Sequence, residues 1–330
     1  MNSETESPAE APPKARPKEQ AASVFSVVCA LLSLYVVWGS TYLAIRVGVQ
    51  SFPPFLMGGS RFLVAGGILY AFLWLTRGIR LSRKQWWDNA IGGFFMLLGG
   101  NGLVSWACQE IPSGIATLVV ALNPLFFVAA EWLAGAWEHR SGKANLQTGR
   151  PNAGTFIGLL VGFAGLAILV GPSLIASANA ELNIWRVLAL VWACMNWTIG
   201  SMYIRHASQP AEPLEGASVQ MLGGGVWMVG ASLLAGELQS FRFEQVTVEA
   251  WWSWLYLILA GSLIGYTSFV WLMKHTTPTL VSTYGYINPI IAVFLGWWIL
   301  HEPVGPRILV ASATIIAGVA ILSWSKRSAA

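Results

Sequence analysis

Charge is scarce in this chain. Only 10% of its 330 residues are Asp, Glu, Lys or Arg, against about a quarter in an average soluble protein, while 55% are hydrophobic. So few charges cannot keep a large surface wetted, which excludes an ordinary soluble domain and leaves lipid as the solvent. Asp88 is the single aspartate, so an intramembrane aspartyl pair is excluded. Cys29, Cys108 and Cys194 lie far apart with no metal-ligand spacing; they are expected to be small buried hydrophobes, and no metal or cofactor is expected. His139, His206, His275 and His301 fall in loops or at the ends of apolar runs. The stretch "HEPVG" (His301 to Gly305) lacks the second His of a zinc-protease helix, and no glycine-rich phosphate loop follows a strand. The chain therefore reads as a non-enzyme that hydrolyses no nucleotide itself.

What is abundant is long apolar sequence. About 20 apolar residues in a helix cross hydrocarbon, and ten such runs are read at 23–45, 54–76, 87–108, 113–136, 153–171, 184–204, 215–236, 251–273, 278–300 and 306–325. The expected fold is an all-α polytopic membrane protein of ten transmembrane helices. Residues 1–22 are polar and proline-rich and read as a disordered tail. The first apolar run is too long for a signal-peptide core, so it is kept as a span with no cleaved segment.

The net charge of +4 would suit a nucleic-acid partner, but the positions of the cations argue otherwise. With a cytoplasmic amino terminus, Lys14, Arg16, Lys18, Arg77, Arg80, Arg83, Lys84, Arg140, Lys143, Arg150, Arg205, Lys274, Lys326 and Arg327 share the cytoplasmic side. Only Arg46, Arg186, Arg242 and Arg307 fall opposite, and Arg61 lies within a span. This is the positive-inside asymmetry of a membrane protein with both termini in the cytoplasm.

The chain is also a duplication. A shift of 159 superposes Trp38 on Trp197, Arg46 on Arg205, Pro54 on Pro213 and Gly66 on Gly225; a shift of 165 superposes Trp86 and Trp87 on Trp251 and Trp252, and Asn123 and Pro124 on Asn288 and Pro289. A shift of 153 brings "GLAIL" (Gly165 to Leu169) onto "GVAIL" (Gly318 to Leu322). The units are a first five-helix repeat at 23–171, a connecting loop at 172–183, a second repeat at 184–325 and a tail at 326–330. Five spans is an odd number, so the second copy enters from the opposite face. Two inverted five-helix repeats are the architecture of alternating-access carriers.

Each repeat carries an Asn-Pro pair inside a span. Pro124 and Pro289 forfeit the hydrogen bonds to the carbonyls of Val120 and Gly285, a loss tolerated at that depth only against protein or a wet cavity. Both prolines are therefore candidate kink or gating positions, the plainer alternative being a packing kink.

The stretch "YVVWGSTYLAIRVGVQSFPPFLMGGSRFLVAG" (Tyr35 to Gly66), the Asn-Pro pairs, "GLLVGFAGLAILV" and "HEPVGPRILVASATIIAGVAIL" resemble the EamA-type ten-helix members of the drug/metabolite transporter superfamily. The resemblance covers both repeats. It implies an inner-membrane carrier, generally an exporter of amino acids, other small metabolites or amphipathic drugs, with its substrate held between the halves. One departure is Glu131, whose match in the second repeat is Gly296.

Candidate substrate-cavity residues follow from depth and polarity. Trp38, Ser40, Thr41 and Tyr42 cluster in the first run, and Asn196, Trp197 and Ser201 in the sixth. Tyr284 and Asn288 share a helix face, and Asn101, Asn123 and Tyr266 join the set; for each, packing is the competing role. Arg61 is a candidate for a substrate carboxylate, against the plainer role of fixing helix packing; its repeat partner is the neutral Gln220. Glu131 is a candidate proton carrier, against a carboxylate that reaches headgroup water. Gly154, Gly158 and Gly162 form a small-residue ridge for a second protomer or for the tenth run, and a monomer is preferred. The expected partners are a small-molecule substrate and the bilayer, with no nucleic acid. Competing functions are a sugar or nucleotide-sugar exchanger, which would show more cavity cations, and a receptor or scaffold without transport.

Overall fold

The computed structural model describes residues 23–140, 153–175, 182–276, 278–281 and 283–327, and among them every regular element is helical. The long helices are α1 (Val24–Gly48), α2 (Pro54–Arg77), α3 (Arg83–Ala107), α4 (Ser113–Val120), α5 (Asn123–Arg140), α6 (Ala153–Ile175), α7 (Ile184–His206) and α8 (Pro213–Leu234). After them come α9, running from Val248 to His275, α10 (Tyr284–Leu300) and α11 (Pro306–Arg327). Seven stretches are long and apolar enough to cross a membrane; Phe156–Leu169, Ile287–Leu300 and Pro306–Ile321 are shorter apolar helices. The expected spans fall on these helices; the tail at 1–22 and residues 176–181 of the expected 172–183 loop lie outside the described residues, and the first four residues of that loop are instead the end of α6.

Local chemistry starts helices at matched places in the two halves. Ser82 caps α3, accepting from Gln85 N–H while the Gln85 side chain returns to the Ser82 N–H. Its counterpart 165 residues on, Thr247, caps α9 by accepting from Ala250 N–H. Pro54 and Pro213 both open helices, where the missing N–H costs nothing. The middle of α3 winds as a π-helix over Phe94–Gly102 and that of α9 over Leu257–Tyr266, a geometry that is rare and concentrated at functional sites.

Glycine sets the closest packing. In the α2–α8 pair, Gly66 and Gly225 lie against opposing backbone: a Cβ on Gly66 would stand 2.9 Å from Leu222 N, and one on Gly225 would stand 2.9 Å from Leu63 N. In the α6–α11 pair, a Cβ on Gly318 would run into the backbone of Gly162 and stand 2.9 Å from Gly158 O. Gly158 and Gly162 of the small-residue ridge therefore serve the packing of α11.

The two ends of the bundle are tied differently. At the end holding Gly48 and Pro54, Arg46 Nη1 donates to Cys108 O (2.6 Å). Glu237 accepts from Phe55 and Leu56 N–H at the start of α2. Glu302 accepts from Ser113 N–H (2.7 Å), Ser113 Oγ and Gly114 N–H at the start of α4, a carboxylate on a helix N-terminus. The chain reverses at His301, in the left-handed region with φ 54°, and the carboxylate passes over Gly296, where a Cβ would collide with it. Glu110 binds Asn183 and Arg186 here; the Asn183 hydrogen bond, then Arg186, hold its carboxyl below the ordinary value. At the opposite end Arg77 pairs with Glu212 (3.6 Å). There Asp88 binds Lys84, Tyr203 Oη and Ser208 N–H.

One expectation is corrected. Cys108 and Cys194 are buried, but Cys29 is exposed on the outer face of α1, because in lipid an apolar side chain needs no core. Trp87 and Trp252 stand exposed near the starts of their helices, whereas Trp251 is packed among Phe52, Phe243 and Trp254.

Candidate functional site

Between the two halves lies a cavity of about 410 Å³, within the range of small-molecule sites. Of the sequence candidates, Trp38, Thr41, Tyr42, Arg61, Asn101, Asn123, Trp197, Tyr266, Tyr284 and Asn288 line it, together with Pro124. Ser40, Asn196 and Ser201 do not. Ser40 Oγ turns back to its own helix and to Tyr256 Oη (2.6 Å), Asn196 Nδ2 donates to Trp192 O (2.9 Å) and Ser201 Oγ donates to Trp197 O (2.7 Å). A polar side chain that can reach the carbonyl one turn back satisfies itself locally, which periodicity cannot reveal. Glu131 lies on the described backbone of α5, but its side chain is outside the described residues.

The lining repeats. Trp38 and Trp197, and Phe62 and Met221, are pairs 159 apart; Leu97 and Ser262, Asn101 and Tyr266, Val104 and Phe269, and Asn123 and Asn288 are pairs 165 apart. Each tryptophan lies over a glycine of another helix: a Cβ on Gly265 would stand 2.5 Å from Trp38 Nε1, and one on Gly100, 165 residues earlier, 3.2 Å from Trp197 Cε3. The two asparagines tie the Asn-Pro helices to α1 and α7. Asn288, with its amide turned to donate, reaches Tyr284 O and Tyr35 O at 3.2 Å each, and Asn123 Oδ1 accepts from Thr198 Oγ1 at 3.4 Å.

The prolines act unequally. Pro124 falls in the first turn of α5, after an interruption at Ala121 and Leu122, where Leu122 N–H reaches back only to Val119 O. Pro289 stays inside the continuous α10 and borders an outer groove with Ile290 and Val293 instead of the cavity. Val120 and Gly285, whose carbonyls the prolines deprive of N–H partners, both line the cavity. A wet chamber is where an unpaired carbonyl at that depth is tolerated.

Arg61 is 6% exposed. Its Nε donates to Ser262 Oγ (2.9 Å) and its guanidinium lies 4.6 Å from the centre of the Phe62 ring. Its repeat partner Gln220 is satisfied at both ends, donating to Asn89 Oδ1 (2.9 Å) and accepting from Tyr266 Oη (2.7 Å). An aromatic group adjoins Arg61: Trp38 lies 5.3 Å from Phe269 and 5.2 Å, edge-on, from Tyr284. Sequence reasoning missed Phe269 and Ser262: their repeat partners Val104 and Leu97 are apolar and gave no signal of a cavity position.

A bundle of membrane-length apolar helices enclosing a solute-sized, mostly apolar chamber with a few polar groups is the construction of a membrane transporter. Comparison with known proteins specifies the class: residues 25–137 and 184–324 match the EamA-like transporter family, and the chain belongs to it. It is 33% identical over 299 residues to the uncharacterized inner membrane transporter YedA of Escherichia coli K12, covering 90% of each chain. It is 24% identical to the uncharacterized transporter YoaV of Bacillus subtilis, covering 89% of this chain and 95% of that one. Protein PecM of Dickeya dadantii is 25% identical, with 87% and 88% covered. A crystal structure at 20% identity superposes with a TM-score of 0.59 over 93% of this chain and all of its own, a likeness of fold.

Proposed function

We propose that this protein is a secondary or facilitative carrier of the bacterial inner membrane that exports small metabolites, amino acids among them. In this reading ten transmembrane helices form two inverted five-helix repeats that work as a monomer with both termini cytoplasmic, and alternating access between them moves the solute. The observation that carries the reading is the cavity lining. Repeat-equivalent residues from both halves face one chamber, as expected where two copies share an axis and exchange conformations about it. The placement of the ends supports inversion: Arg46 sits at the Pro54 end of α2 and Arg205 at the end of α7 that leads to Glu212 and its partner Arg77, although the two arginines are 159 apart. The likeness to YedA, named as an inner membrane transporter, supports the inner membrane.

Purified protein in liposomes tests the proposal. A panel of radiolabelled amino acids and related metabolites is expected to contain at least one solute that enters several-fold faster than into empty vesicles. A parallel series with an imposed proton gradient reads out coupling. If nothing in the panel moves faster than through lipid alone, the receptor or scaffold reading replaces the carrier.

A further inference from the structure

Arg61 is a buried cation with no counter-ion among the described residues. Arginine stays charged in proteins and carries five N–H donors. One of these goes to the neutral hydroxyl of Ser262, and no ion pair involves Arg61 among the described residues. Among the described residues Ser232 Oγ is the one sealed polar side-chain atom without a partner, so the remaining Arg61 donors are not sealed off, and Arg61 lines the cavity. A charge taken out of water without a partner is expensive. The same fold shows the inexpensive alternative in Gln220, neutral and bonded at both ends.

No Asp or Glu is among the described lining residues of the chamber, and the other charged lining residue is Arg205. An organic cation would find no carboxylate among the described lining residues, whereas a carboxylate would meet a planar, desolvated guanidinium suited to two parallel hydrogen bonds. The apolar surface stands beside it. Gly261 separates the two features: its carbonyl accepts from Trp38 Nε1 (3.3 Å), and a Cβ there would stand 3.0 Å from Arg61 Nη2. Trp38 continues into Phe269 and Tyr284.

We propose that Arg61 is the carboxylate-binding group of the cavity, and that the solute is a small carboxylate with an apolar or aromatic body that rests on Trp38, Phe269 and Tyr284. The word solute rests on the carrier reading; the binding assignment does not.

The test is calorimetric binding to the purified full-length protein in detergent. Its probes are aryl and alkyl carboxylates of three to ten carbons, each with its amide and its ammonium counterpart; 3-phenylpropionate, 3-phenylpropanamide and 3-phenylpropylammonium form one such set. The best carboxylate is expected to bind roughly tenfold or more tighter than its two counterparts. Arg61→Gln brings that ratio to about one and Arg61→Lys retains part of it. The proposal is overturned if no carboxylate outbinds its amide in the native protein, or if the preference survives Arg61→Gln. Should Arg61→Gln fail to fold, the native ratio and Arg61→Lys decide. Liposome flux separates the two readings: carboxylate binding without transport discards the carrier and keeps Arg61, whereas transport of amides or ammoniums as fast as carboxylates keeps the carrier and discards Arg61.

Discussion

Trp38 and Asn288 do different work at neighbouring points of the cavity wall. Trp38 supplies aromatic surface against Phe269 and Tyr284, whereas Asn288, 5% exposed, joins α10 to the backbone of α1. Trp38→Ala is expected to cut liposome transport about tenfold at normal membrane abundance, since one aromatic contact is worth about 1 kcal/mol or somewhat more. Asn288→Ala removes hydrogen bonds worth about 0.6–2 kcal/mol within a membrane and is expected to lower transport with abundance unchanged; lost abundance in immunoblots would mark a packing residue. Gly265→Ala probes the same wall from behind. Its methyl would press on Trp38 Nε1, so substrate affinity should weaken as in Trp38→Ala although no cavity polar group is altered. The polar candidates were legible in the sequence to the extent that depth alone selects them. Ser40, Asn196 and Ser201 had the right depth and the wrong rotational angle, and their local carbonyl bonds leave no mark in composition.

Among the elements, close helix pairs depend on bare backbone. Gly318→Ala drives a methyl into the backbone of Gly162, which cannot yield as a flexible side chain can. Overpacking of this kind costs about 1–3 kcal/mol, so the melting temperature of the solubilised protein should fall. Gly230→Ala, where a Cβ meets nothing within 4 Å, is the matched control and should not lower it. Helix positions were readable because hydrocarbon demands long apolar runs. The π-helical middles of α3 and α9 were not, since an i to i+5 ladder uses the same apolar residues as an α-helix. The unequal effect of the two prolines was equally hidden: identical dipeptides interrupt one helix and leave the other continuous because flanking turns and neighbouring helices decide how each strain is relieved.

On the scale of the whole molecule, the Arg46, Glu237 and Glu302 contacts close the end of the bundle at Gly48 and Pro54, while the cavity reaches Arg205 toward the other. A single cysteine at Asn101, in a chain otherwise free of cysteine, should therefore react with a membrane-impermeant thiol reagent from the Arg205 side and be protected from the Arg46 side. Adding Glu302→Gln weakens the hold on Ser113 and Gly114 by removing a charge-assisted bond. Labelling from the Arg46 side should then rise several-fold; unchanged labelling would mean that this contact is no gate. Inversion has its own test in the intact membrane: residues 77–84 and 237–249 should be labelled from opposite sides.

The sequence by itself determined that the chain lives in lipid, that its helices repeat, and that a few deep polar residues and prolines are exceptional, because each of these follows from what hydrocarbon forbids. Only the tertiary structure decided which of those residues meet in one chamber, which bond to their own helix, and that Arg61 stands there without a counter-ion among the described residues while Gln220 is bonded at both ends. Helix rotation and the identity of facing neighbours arise from packing between segments more than a hundred residues apart, and no local pattern carries that information.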